Sequence, residues 1–267
     1  MYYVLSIVVP TYNEKENILK ILKALAALDQ KYQIVVVDDD SPDGTAEIAE
    51  KFSSSRKNVR VFRRKERGLA SAILFGIRRS SAPVFCVIDA DLQHPPELIP
   101  RMLQKMESEK ADIIIASRFL DTKSAKGLSR FRRFLTDSSI ALSKLFLKKA
   151  RAVSDPMSGF FMCKKTALKG VAFRSLGFKF LLELIVKGRY SKISEVAYEF
   201  SKRKSGASKM GRSEYLRFGR LLVSLWLWQI TSSLYRRPKP AVCGKTESRR
   251  RLSYIKTAVS GASKIAN

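Results

Sequence analysis

The strongest constraint in this sequence is an alternation that runs through its first half. Short apolar runs rich in β-branched residues occupy positions 5–10, 33–37, 59–62, 84–88 and 112–116. Several are apolar throughout rather than at every second residue, the pattern of strands covered on both faces of a parallel sheet. Between them lie stretches with helical spacing. One is 17–28, where Ile18, Ile21, Leu22, Leu25 and Leu28 share a face, and others are 45–52, 69–79 and 96–107. This β-α-β-α series predicts an α/β fold: a mostly parallel, open, doubly wound sheet with helices on both faces. Such sheets bind ligands outside the carboxyl ends of their strands, so the residues just after each run are the candidates for function.

Those residues are polar, and several are acidic. The first run ends in Pro10-Thr11-Tyr12-Asn13-Glu14, the second in Asp38-Asp39-Asp40-Ser41-Pro42-Asp43-Gly44-Thr45. The fourth ends in Asp89-Ala90-Asp91-Leu92-Gln93-His94-Pro95-Pro96 and the fifth in Ser117-Arg118. Helix capping accounts for Asp43 or Thr45, and for Asn13. It does not account for Asp38, Asp39 and Asp40 side by side, because like charges that close need a cation or hydrogen-bond donors. Asp89-Ala90-Asp91 puts two carboxylates on one side of an extended chain. Two hard oxygen donors suit Mg²⁺ or Mn²⁺ better than a soft metal. Such an ion keeps positions open for phosphate oxygens and offsets charge on a departing diphosphate. His94, beside this pair, reads as a packing or supporting residue rather than a ligand.

Charge narrows the partners. The 267 residues carry 51 Lys and Arg against 24 Asp and Glu, a net +27, which points to polyanions: nucleic acid, anionic lipid or phosphorylated substrates. Cys86, Cys163 and Cys243 lie far apart and His94 is the one histidine, so a Cys/His zinc site is not expected. Sparse cysteines fit a reducing compartment. The first residues run straight into an apolar strand with no basic leader, so the active site is expected on the cytoplasmic side. Guanidinium groups grip phosphate as a fork and lysine adds a point charge. Arg118, Arg132, Arg203 and Lys209 fall in segments read as loops, whereas Lys144, Lys148 and Lys149 read as a solvated face.

A strand at 193–200 leads into the basic loop 201–209. From Ser213 the chain changes character, with eleven Lys and Arg against two Glu. Residues 221–235 carry no charge and include Trp226 and Trp228. As a helix they span ~22 Å, short of the ~30 Å hydrocarbon core. Arg217 and Arg220 flank them on one side and Arg236 and Arg237 on the other. The expected organisation is a catalytic domain over 1–212, an amphipathic membrane-interface helix over 213–237 on an anionic surface, and a basic, disordered tail over 238–267. Packing of that helix on the catalytic domain, or a short tilted span, are the alternatives.

Taken together, Val8-Val9-Pro10-Thr11-Tyr12-Asn13-Glu14, Val37-Asp38-Asp39, the Asp40–Thr45 stretch and the Asp89–Glu97 stretch resemble the family-2 inverting glycosyltransferases of GT-A fold. Asp155-Pro156-Met157-Ser158-Gly159-Phe160-Phe161, Gly177-Phe178-Lys179-Phe180-Leu181-Leu182-Glu183-Leu184 and the Arg203-x-x-Gly206-x-Ser208-Lys209 loop resemble the dolichol-phosphate mannose synthases within it. The resemblance covers about residues 4–212. It implies GDP-mannose as donor and dolichyl (polyprenyl) phosphate as acceptor. It also implies a nucleotide cradle of Pro10, Tyr12, Glu14, Val37 and Asp39, with Ala90 near the nucleotide. Asp89, Asp91 and Gln93 would hold the metal. Lys179, Arg203 and Lys209 would meet the donor diphosphate, and Arg118, Arg132 and Thr136 the acceptor phosphate. The resemblance also implies the catalytic roles for Asp91 and Arg118. The chain departs from the subgroup at Thr136-Asp137-Ser138-Ser139, where a serine, a basic residue and Gly-Ala are usual. It looks like the short form with a single amphipathic anchor, which works with a small membrane-protein partner.

Two rivals stay open on sequence alone. One is the same fold using UDP-glucose to glucosylate a polyprenyl phosphate. The other is a nucleic-acid binder, which would interleave basic and stacking aromatic residues on one face. Here the basic residues cluster near acidic loops and beside an apolar helix instead, so no nucleic-acid partner is expected. A scaffold without activity is opposed by the presence of Asp89, Asp91 and Gln93.

Overall fold

The computed structural model describes residues 2–120, 130–173, 179–199 and 212–234. The β-branched runs form strands β1 (Leu5–Thr11), β2 (Tyr32–Asp38), β3 (Val59–Arg63), β4 (Val84–Val87) and β5 (Ile113–Ser117), joined by later strands β6 (Phe161–Lys164) and β7 (Ile193–Ala197). Every residue of β1, β2 and β5 is buried, which is why these runs are apolar throughout rather than alternating. The strand order is β3-β2-β1-β4-β6-β5-β7. All neighbours are parallel except β6, which runs antiparallel to both β4 and β5. That strand was not legible as one. It is four residues long and lies between two others, so its start is delivered to the edge where β4 and β5 end.

Helices cover both faces. On one side α1 (Lys15–Ala26), α2 (Thr45–Ser53) and α4 (Leu98–Ser108) bury Ile18, Ile21, Leu22, Leu25, Phe52, Ile99, Met102 and Met106 against Ile7, Val9, Ile34, Val36 and Ile88. On the other, α3 (Leu69–Arg79) and α6 (Phe180–Lys187) pack Ile73, Ile77, Phe180, Leu181, Leu184 and Ile185 on Val8, Phe85, Val87, Ile113 and Ile115. Each such side chain is worth ~1.5–3 kcal/mol of burial.

All eight residues of α6 are buried. Its second face, Leu182 and Val186, meets Ile140 of α5 (Arg130–Phe146) and Leu221, Leu222 and Leu225 of α7 (Arg212–Leu234). The segment expected as a helix over 213–237 is helical over Arg212–Leu234, and one side of it packs on its own domain. Its other side leaves Leu216, Val223, Trp226, Leu227 and Trp228 exposed. Among the described residues no helix is long and apolar enough to cross a membrane. By its contacts the chain forms one unit over Met1–Gln229 and another over Ile230–Asn267. The first holds all seven strands. The tail expected over 238–267 lies outside the described residues.

Candidate active site

β1 pairs with β2 on one side and β4 on the other, so the chain winds in opposite directions from this point, and the ends of β1 and β4 are where such sheets bind their ligands. The candidate residues sit around these ends. Pro10 pairs in register with Val37, and Thr11 with Asp38.

Asp38 is fully buried and wholly engaged. It accepts from Thr11 Oγ1 at 2.9 Å, Ser41 N at 2.8 Å and Ser41 Oγ at 2.6 Å. Asp39 takes Arg64 Nε at 2.6 Å and the amide of Gly68 at 2.8 Å, in an ion pair whose side chains are each 8% exposed. Arg64 Nη2 also donates to Gly68 O and Ser71 Oγ. Asp40 turns outward in the left-handed region at φ 58°. The cluster of aspartates is therefore answered by donors of the chain, and Arg64, which the sequence reading had passed over, supplies the charge. Tyr12 lies under the guanidinium of Arg67, 4.7 Å from its ring centre. Glu14 begins α1 as its N-cap. Its N–H donates to Thr45 Oγ1, and its carboxylate accepts from Asn17 Nδ2. Asp43, read as a cap, accepts from the N–H and Oγ1 of Thr45 and from Lys15 N. Val37 has its side chain in the core, so only its backbone faces a ligand.

The end of β4 is built differently. The Asp89 side chain is 34% exposed, and its Oδ2 lies 3.4 Å from His94 Nε2. Gly159 presses on the same oxygen: a Cβ there would stand 2.6 Å from Asp89 Oδ2, so any larger residue would displace that carboxylate. Asp91 is buried and accepts from Gln93 N at 3.1 Å. The donor set of Asp89, Asp91 and the Gln93 amide is made of hard oxygens and fits Mg²⁺ or Mn²⁺. Among the described residues no group of three or more His, Cys, Asp or Glu could hold an ion alone. A cation bound here would share its positions with oxygens from a phosphate or water.

After β5, Arg118 forms a bidentate pair with Asp155, Nε to Oδ2 at 2.7 Å and Nη2 to Oδ1 at 3.0 Å. Asp155 is fully buried, and the N–H groups of Ser154 and Asp155 are held by Glu195 of β7. Burial opposes the charge on Arg118, but Asp155 outweighs it through charge and hydrogen bonds and raises the guanidinium pKa. Lys179, at the N-cap of α6, joins this cluster. Burial first, and then Arg118, push its ammonium down to about 8, while Asp155 and Asp89 oppose the shift. Thr136 is half-buried on α5, and the side chain of Arg132 on the same helix lies outside the described residues, as do Arg203 and Lys209. The structure thus gathers Asp89, Asp91, Arg118 and Lys179 at one edge. It adds Arg64 and Glu195, which act across the sheet and have no local signature, and it makes Asp155, the first residue of the Asp155–Phe161 motif, the partner of Arg118.

The profile of glycosyl transferase family 2 matches residues 6–171. A dolichol-phosphate mannosyltransferase of Pyrococcus furiosus is 40% identical over 227 residues, 84% of this chain and 64% of that protein. The chain thus spans just under two thirds of that relative. Dolichol-phosphate mannosyltransferases of Mycosarcoma maydis and Saccharomyces cerevisiae are each 30% identical, over 83% and 84% of this chain and 78% and 87% of theirs. Among solved structures, a glucosyl-3-phosphoglycerate synthase of Mycobacterium tuberculosis in complex with UDP gives a TM-score of 0.64 at 17% identity, covering 90% of this chain and 83% of that one. Its complex with Mn²⁺, UDP-glucose and phosphoglyceric acid gives the same score and covers 82% of that chain. At that identity the likeness is one of fold, and it matches the GT-A arrangement expected from the sequence. On the profile and these relatives, the chain belongs to glycosyl transferase family 2, among the dolichol-phosphate mannosyltransferases.

Proposed function

We propose that this chain transfers mannose from GDP-mannose to dolichyl phosphate or another polyprenyl phosphate, inverting the donor linkage to a β-mannosyl phosphate. The observation that carries the reading is the meeting of a DxD carboxylate pair with Arg118 and Lys179 at one sheet edge. The names of the relatives support the acceptor and the sugar. Asp89, Asp91 and Gln93 would hold Mg²⁺ or Mn²⁺, which when bound neutralises charge on the departing diphosphate.

The remaining work falls to the chain. Pro10, Tyr12, Glu14, Asp39 and the Val37 and Ala90 backbones border the nucleotide. Lys179, with Arg203 and Lys209, meets the donor diphosphate. Arg118, with Arg132 and Thr136, holds the acceptor phosphate. That phosphate has a second pKa near ~6, so at neutral pH it is a dianion ready to attack. No general base is needed, unlike transfer to a hydroxyl. The task is to align two anions that repel each other, and pre-set cations do this without reorganisation. Asp155 holds the Arg118 fork in place before any acceptor arrives.

Membrane association with a cytoplasmic-facing site belongs to the same proposal. It is supported by the exposed Val223, Trp226, Leu227 and Trp228 of α7 and Leu142, Leu145 and Phe146 of α5, with Arg217 and Arg220 nearby. The test is transfer of labelled sugar from GDP-mannose, and in parallel UDP-glucose, to a polyprenyl phosphate in detergent with Mn²⁺. An EDTA control and Asp91→Ala accompany it. Metal-dependent mannolipid, lost in the variant, is the expected result. Glucolipid would overturn the donor, and no lipid product from folded protein would overturn the acceptor.

A further inference from the structure

We propose that Tyr198 and His94 are positioning residues for Asp89, so that the end of β7 fixes one carboxylate of the DxD pair. The inference rests on the cation reading of that pair. The His94 side chain is 4% exposed. Its ring lies 5.4 Å from that of Phe160 and 5.6 Å from that of Tyr198. Nδ1 stands 2.7 Å from the Tyr198 hydroxyl and Nε2 3.4 Å from Asp89 Oδ2.

One proton arrangement serves all three groups. A carboxylate only accepts, whereas a phenol can donate. Of the two neutral imidazole tautomers, the one protonated at Nε2 turns N–H toward Asp89 and a lone pair toward Tyr198 O–H. The other would set two acceptors face to face at Asp89. Burial raises the pKa of Tyr198, which keeps its proton in place. The same Oδ2 also lies against Gly159, where a Cβ would stand 2.6 Å away and displace the carboxylate. Both His94 and Gly159 thus bear on Oδ2 and limit the positions the Asp89 carboxylate can take. The topology explains the reach. Ala197 pairs with Ser117 at the end of β7, so the next residue, Tyr198, stands at the same sheet edge as the loop after β4.

Partners that orient a ligating group are commonly worth about 10- to 100-fold in metal affinity. The experiment titrates Mn²⁺ into the full-length protein without donor, reading free Mn²⁺ by electron paramagnetic resonance and the fold by thermal melting. His94→Phe keeps a ring against Phe160 and Tyr198 but has no donor, and is expected to weaken Mn²⁺ binding by about 10- to 100-fold. His94→Gln restores an N–H donor and should recover most of that loss. Tyr198→Phe removes one hydroxyl and should weaken binding by a smaller factor. Equal affinity for the Phe and Gln variants, at any level, overturns the proposal, as does wild-type affinity in Tyr198→Phe. If His94→Phe does not fold, Tyr198→Phe decides alone. Asp91→Ala separates the two readings: if it binds Mn²⁺ as the wild type does, the cation site itself falls, whatever the His94 variants do.

Discussion

At the end of β2, Asp38 and Asp39 are buried, and hydroxyls, amides and Arg64 of the same chain meet both carboxylates. At the end of β4, Asp89 keeps a third of its side chain exposed, and it lies against the imidazole of His94 and the backbone of Gly159 rather than a bidentate cation. In sequence the two are acidic clusters after apolar strands. In the fold one is an internal brace, and the other is a half-satisfied site at the sheet edge. A buried carboxylate that is fully hydrogen-bonded has no capacity left for a ligand ion. The difference therefore assigns ion binding to the second cluster, and to the first the bracing of the loop that borders the nucleotide. The Arg118–Asp155 pair stands between these cases, with a buried carboxylate that takes both Nε and Nη2 of a guanidinium set at the end of β5.

Three substitutions can break that division. The largest effect is expected at Asp155→Ala, which leaves the Arg118 charge without its buried carboxylate. Breaking such a pair costs about 3–5 kcal/mol, readable as a lower midpoint in denaturant. A loss under about 1 kcal/mol would place the pair among weakly coupled surface bridges. Next is Asp91→Ala, where kcat/KM should fall about 10²- to 10³-fold as the cation's share of transition-state stabilisation goes. Its unfolding midpoint should hardly move. Asp38→Ala should show the reverse. Loss of its charged hydrogen bonds costs about 1.5–3 kcal/mol of stability, while Mn²⁺ affinity of the folded protein stays unchanged. If Asp38→Ala weakens Mn²⁺ binding as much as Asp91→Ala does, both clusters belong to one site and the contrast is wrong.

How far the sequence foretells this depends on the range of each interaction. Strands β1, β2 and β5 are readable because burial on both faces demands unbroken apolar runs, and α1 because one face alone is buried. Asp89 and Asp91 are readable because their spacing is local. β6 is hidden: Phe161-Met162-Cys163-Lys164 has no β-branched residue and no alternation, and only its place between β4 and β5 makes it a strand. Helix α5 is hidden too, since its basic residues mask the spacing of Ile140 and its apolar neighbours. The partners of the site residues lie furthest from view. Arg64 reaches Asp39 across 25 positions and Tyr198 reaches His94 across 104. No local pattern encodes such pairs, because the sheet order that joins them is itself a tertiary outcome.

The smallest effect, and the one that tests the cationic side of the contrast, is a pH dependence set by Lys179. Its ammonium is pushed down to about 8, mainly by burial, from 10.5 in the open chain. Between these values the unfolded chain binds more protons than the folded one, so the contribution of Lys179 makes stability rise as pH increases from about 8 to 10.5. Activity should move the other way. Above about 8 the free enzyme loses the charge that meets the donor diphosphate, so kcat/KM for the donor falls. Once bound, the diphosphate stabilises the ammonium, so kcat should hold to higher pH. Lys179→Arg, whose guanidinium does not titrate in this range, should flatten the alkaline limb of kcat/KM. A limb that persists in the arginine variant assigns the titration to another group. Lys179 would then be a structural cation, closer in kind to Arg64 beside Asp39 than to the ion-binding edge at Asp89.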